Sequence, residues 1–65
     1  MTQLTTKDLE VLSHLMTGEQ MACKKARMYA NTLTDVDLSA QMHALADQHE
    51  CRFSRLLTIL NGGNA

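Results

Sequence analysis

The sequence predicts an all-α fold, an antiparallel two-helix hairpin that dimerises into a four-helix bundle. Three observations predict it. Apolar residues recur at alternating three- and four-residue spacings over two long stretches, which is the helical period. Proline is absent and only Tyr29 and Phe53 are aromatic, so the turn signals and composition of a β-sandwich or barrel are missing. The chain has 65 residues, room for one small domain but not for a parallel sheet with its crossover helices.

The first helix is expected over about residues 6–31. It opens at Thr5-Thr6-Lys7-Asp8, where Thr5 and Asp8 have the spacing of a capping box, hydroxyl and carboxylate each satisfying an orphan backbone N–H. Its apolar stripe runs through Leu9, Leu12 and Met16, then Cys23, Ala26, Ala30 and Leu33, with Glu19 in the one missing place. Leu15, Ala22 and Tyr29 widen the stripe on one side. Gly18 interrupts a good helix-forming run at a cost of about 1 kcal/mol against Ala, and a close approach by a neighbouring helix would explain it. Lys24, Lys25 and Arg27 fall late in the helix and are read as complementing its negative end.

The chain is expected to turn at residues 32–34. Thr34 with Asp37 reads as a second capping box, starting a helix over about residues 35–60. The apolar face of this helix reads Leu38, Met42, Leu45, Ala46, Phe53, Leu56, Leu57 and Leu60, with His49 filling the gap in the middle. Asn61-Gly62-Gly63 supplies a C-cap, and residues 61–65 read as a flexible tail. The short turn makes the helices antiparallel neighbours. A lone hairpin buries only the strip where its helices touch, and both stripes are wider than one seam. Self-association into a homodimer is the expected remedy for so small a core.

Composition narrows the function. Six Lys and Arg stand against seven Asp and Glu, so no basic face for nucleic acid is expected. No apolar run approaches the ~18 residues of a membrane span. No signal peptide is recognised, and two cysteines without one imply free thiols in a reducing, cytoplasmic setting. Cys23 and Cys51 fall about two turns out of level in the hairpin, too far for a disulfide. Met16, Met21, Met28 and Met42 read as adaptable core filler, with a partner-binding surface as the alternative. His14 and His43 read as solvated, His43 forming an outer-surface pair with Asp47. No phosphate loop, catalytic triad or Cys-x-x-Cys pair is present, and Cys51 lacks the electropositive enclosure of a catalytic thiol. The chain therefore reads as non-enzymatic.

Glu19 and His49 are the one polar constellation in the apolar seam. Both sit near the middle of their helices, and in a hairpin turning near Leu33 they fall at the same level, facing each other. A two-fold dimer would bring two carboxylates and two imidazoles together. That set suits Fe, Mn or Zn, with Cys23 one turn from Glu19 as an outside candidate. The alternative is a hydrogen-bonded pair without metal that fixes the bundle register.

The run Leu4-Thr5-Thr6-Lys7-Asp8-Leu9, Glu19 ahead of Lys24-Lys25 and Tyr29-Ala30, then Leu45-Ala46-Asp47-Gln48-His49 and Leu56-Leu57 resembles the small coat protein F-like chains of spore-forming bacteria, over residues 4 to 61. These belong to the ferritin-like superfamily. The resemblance implies half of a ferritin-like bundle, doubled by dimerisation, with spore association and other coat proteins as further partners. In ferritin-like di-iron proteins one helix gives a Glu and the next a Glu-x-x-His. Glu19 matches the first and His49 the histidine, but the second Glu is replaced by Ala46. That departure removes the bridging carboxylates and argues against oxidase chemistry. Three roles follow as expectations: a homodimeric structural or interaction protein, a metal-binding or redox protein with an intersubunit Glu/His site, or a helical adaptor whose outer face docks another protein.

Overall fold

The computed structural model describes residues 3–62, and among them the chain forms two helices and no strand. Helix α1 spans Thr6–Thr32 and helix α2 spans Val36–Leu60. Thr5 caps α1 as its sequence predicts: its Oγ1 accepts from the Asp8 backbone N–H at 3.1 Å, and its own N–H donates to the Asp8 carboxylate at 3.1 Å. α1 ends one residue later than expected, where Leu33 turns extended and its N–H closes on the Tyr29 carbonyl at 3.0 Å.

The start of α2 differs from the expectation. Asp35, not Thr34, is the N-cap, its carboxylate accepting from the Leu38 N–H at 2.8 Å, so no Thr34–Asp37 box forms. Both Thr and Asp are capping types, but a carboxylate adds charge to the positive helix end, where it is favoured. Asp37 instead lies inside the first turn, where its charge is favourable too. The turn is pinned from within, since the Ser39 hydroxyl donates to the Ala30 carbonyl at 2.7 Å, satisfying an orphan acceptor at the end of α1. At the far end Asn61 is the C-cap and Gly62 takes φ 89°, the left-handed region that favours glycine. Residues 63–65 of the expected tail lie outside the described residues.

The two helices pack on each other along the whole hairpin. The buried set is small: Leu12, Ala26, Ala30 and Ala46. Three alanines line the seam toward the turn, where small side chains let the helices close up, as the Ser39–Ala30 bond across them attests. Toward the open end the seam holds bulkier groups, with Met16, Phe53 and Leu56 half-buried. Met21 and Met28 do not fill the core. They lie on the side of α1 away from α2 and stay 58% and 55% exposed.

The principal extents are 47 × 21 × 10 Å. Ten ångströms is the thickness of one helix with its side chains and twenty-one is two helices abreast. The hairpin is thus a single layer, whereas stable domains bury apolar faces between at least two. Its radius of gyration is 14.7 Å, against about 10.7 Å for a compact chain of this length. The accessible surface is 4988 Å², against roughly 4100 Å² for a folded monomer of this mass. Both broad faces lie open, and Gly18 meets no neighbour within the hairpin: nothing lies within 4 Å of where its Cβ would be. No helix of the described residues is long and apolar enough to cross a membrane.

Candidate functional site

The middle of the hairpin brings Glu19 and His49 together. Glu19 sits on α1 one turn before Cys23, and His49 sits on α2 in the gap between Ala46 and Phe53. Their side chains meet at 2.6 Å, Glu19 Oε2 to His49 Nδ1. A carboxylate has no proton to give at neutral pH, so Nδ1 carries the hydrogen and donates. His49 is thereby oriented with Nε2 as its second nitrogen. No buried side-chain polar atom lacks a partner among the described residues, so Nε2 keeps its access to solvent.

A third group completes the arrangement. Arg52, one turn beyond His49 on α2, places Nη1 3.5 Å from Glu19 Oε1. The guanidinium also lies 3.4 Å from His49 Nδ1, but that nitrogen already donates to Glu19 and cannot accept. Arg52 therefore pairs with the carboxylate, and the triad is charge-balanced when His49 is neutral. The Glu19 carboxyl is held below its ordinary range, chiefly by the His49 hydrogen bond and further by the Arg52 charge, against an opposing effect of desolvation.

Within one hairpin the pair is partly enclosed, whereas the sequence expects full enclosure from a second hairpin. The Glu19 and His49 side chains remain 20% and 17% exposed, and no polar residue is fully buried among the described ones. The reason is the single layer: the seam shields one side of each group, and the broad face leaves the other open. Arg52 is the site residue that sequence reasoning missed. The signal was its position three residues after His49, which puts both on one face of α2.

A second cluster lies on the opposite broad face. Arg27 reaches from α1 across to α2, where Nη2 binds Asp47 Oδ1 at 2.9 Å and approaches Glu50 at 3.7 Å. Its Nη1 donates to His43 Nδ1 at 3.0 Å. Since arginine only donates, His43 must accept there, which fixes its neutral form with the proton on Nε2. Contact with Asp47 raises the Arg27 pKa. This corrects two expectations. Arg27 does not serve the helix end, because α1 continues to Thr32 and its last turn holds no basic residue. His43 is half-buried beneath the guanidinium rather than solvated.

The cysteines stay apart as free thiols, Cys51 exposed and Cys23 half-buried in a shallow groove bordered by Glu19, Lys24 and Phe53. His14 is exposed. Among the described residues no group of three or more His, Cys, Asp or Glu is placed to hold a metal ion. One chain does not fit a metal at Glu19 and His49, since both carboxylate oxygens are engaged and a guanidinium stands where a divalent cation would be repelled. Compared with known proteins, the chain matches no family model, no curated protein and no solved structure.

Proposed function

We propose that this chain is a non-enzymatic structural or interaction protein that acts as a homodimer, two hairpins pairing into a four-helix bundle with Glu19, His49 and Arg52 enclosed at its middle. The observation that supports it is the single layer. A seam of one leucine and three alanines leaves large apolar groups uncovered, among them Val11, Leu15 and Tyr29 at 48–52% exposure. Burying such side chains contributes about 1.5–3 kcal/mol each, and a second hairpin is the simplest object that supplies the missing layer. The likeness to small ferritin-like coat chains is in keeping with this reading, and it adds other coat proteins as further partners. Size-exclusion chromatography with light scattering tests the proposal. About twice the chain mass is expected, and a stable helical monomer at micromolar concentration would refute it.

The second reading is an intersubunit metal site. What favours it is the carboxylate on His49 Nδ1, since metal-ligating histidines usually make such a bond through the nitrogen that does not bind the ion. In a dimer the two imidazoles would offer Nε2 to Fe, Mn or Zn. Elemental analysis of untagged protein, repeated on His49→Ala, separates the readings. Stoichiometric metal that disappears in the variant favours the site, and its absence after reconstitution leaves the triad as an ion-paired register device.

A further inference from the structure

We infer that His43 is an acid-operated switch on the link that Arg27 makes between the two helices: neutral, it accepts the guanidinium and holds it on α2; protonated, it releases the guanidinium and takes Asp47 as its own partner. Among the described residues the ion pairs that join α1 to α2 belong to Arg27 and to Glu19. Arg27 reaches α2 at three side chains: His43 Nδ1 at 3.0 Å, Asp47 Oδ1 at 2.9 Å and, more loosely, Glu50 Oε1 at 3.7 Å. Its Nη1 also lies 3.5 Å from the His43 carbonyl. These acceptors differ in one respect. An ionised carboxylate always accepts, whereas an imidazole nitrogen accepts only while it carries no proton. An imidazolium has two N–H groups and no acceptor, so the 3.0 Å contact cannot survive protonation of His43. Two like charges that close would also repel.

Where each group goes follows from its neighbours. From α1, His43 faces Arg27; Cys23 touches the same guanidinium, and Lys24 borders the adjoining groove together with Glu50. From its own helix it has Asp47 one turn on, on the same side of α2, and Glu50 beyond it. With His43 neutral, the guanidinium serves both carboxylates. With His43 charged, two cations share them, and the pairs re-sort: the imidazolium donates to Asp47 within α2, and Arg27 moves to Glu50. The Arg27 and Glu50 side chains are 35% and 69% exposed, so the exchange needs side-chain rotation and no movement of the helices. Histidine changes charge ordinarily between about pH 5 and 8, a window in which carboxylates ordinarily keep theirs. The sign is therefore set. The link from Arg27 to His43 and Asp47 is complete on the alkaline side of the imidazole titration and is lost as the pH falls through it. This switch does not depend on self-assembly, since every group in it belongs to one chain.

Two measurements on the full chain test it. The first is ¹⁵N NMR of the wild type through the imidazole titration. On the alkaline side His43 is expected as the Nε2–H form with a bare Nδ1, and the Arg27 side-chain resonances are expected to shift along the His43 titration curve. In His43→Gln, whose side-chain oxygen accepts without titrating, the Arg27 resonances should stay level over the same range. The second is a double-mutant cycle of Arg27→Gln and Asp47→Asn, read by urea unfolding at one protein concentration on either side of the titration. A coupling of about threefold in the folding constant, the scale of an exposed pair, is expected on the alkaline side and none on the acid side. An Nδ1–H form of His43 on the alkaline side overturns the switch. So do Arg27 resonances that ignore the His43 titration, or that move equally in His43→Gln. A coupling of the same size at both pH values does so too. Should a variant of the cycle fail to fold, the wild-type spectra decide alone.

Discussion

At the scale of the residue, the triad illustrates how a short hydrogen bond fixes three things together: the His49 tautomer, the charge on Glu19 and the position of Arg52. Because the carboxyl is held lower in the folded chain than in the unfolded one, its contribution to stability is complete above the ordinary carboxylate range. It fades as the pH falls through the lowered value, beneath the ordinary carboxylate range. Thermal melts of wild type and Glu19→Gln are therefore expected to differ at pH 7 with wild type the higher, and to draw together as acid protonates Glu19 in the folded chain. A gap of constant size across that range would mean the charge on Glu19 is immaterial. Glu19 and His49 were legible in the sequence because each breaks an apolar stripe at the same level. Arg52 was not, since an arginine off the stripe reads as solvated, and only coordinates show its guanidinium turned back to the carboxylate.

At the scale of the element, periodicity carries almost everything. Apolar spacing marks both helices, and Thr5 caps α1 where its hydroxyl and Asp8 require. The start of α2 was harder to read, because Thr34 and Asp35 are adjacent candidates and the Thr34–Asp37 spacing favours the wrong one. Coordinates give the bond to Asp35. Replacing Asp35 by Ala should cost about 1 kcal/mol of stability, while Thr34→Ala should leave the urea midpoint essentially unchanged. Equal losses in the two variants would restore a Thr34 cap. Arg27 escaped the sequence reading for a different reason: its long side chain spans to α2, so its wheel position alone does not tell which helix it serves.

At the scale of the whole molecule, the dimensions carry the argument. One layer, 10 Å thick, leaves apolar surface on both sides of a seam whose buried members are mostly alanine. That the apolar stripes are too wide for one seam was readable in the sequence, but which residues each broad face exposes was not, because periodicity places residues around a helix without saying how two helices lie side by side. If assembly completes the core, the melting temperature must rise with protein concentration, since folding and association are then one equilibrium. Circular dichroism melts over a hundredfold concentration range check this. A midpoint independent of concentration would describe a hairpin stable by itself.

The uneven seam has a dynamic consequence. Alanines and the Ser39 hydroxyl clasp the helices at the turn, while the opposite end relies on larger groups that remain partly wet. Opening should then begin where the chain termini lie and travel toward the loop, like a zip drawn from its free end. Amide exchange ought to record that order, with protons around Ala26, Ala30 and Ala46 outlasting those near Leu9 and Leu57. Uniform exchange along both rods would show that the clasp confers no such polarity.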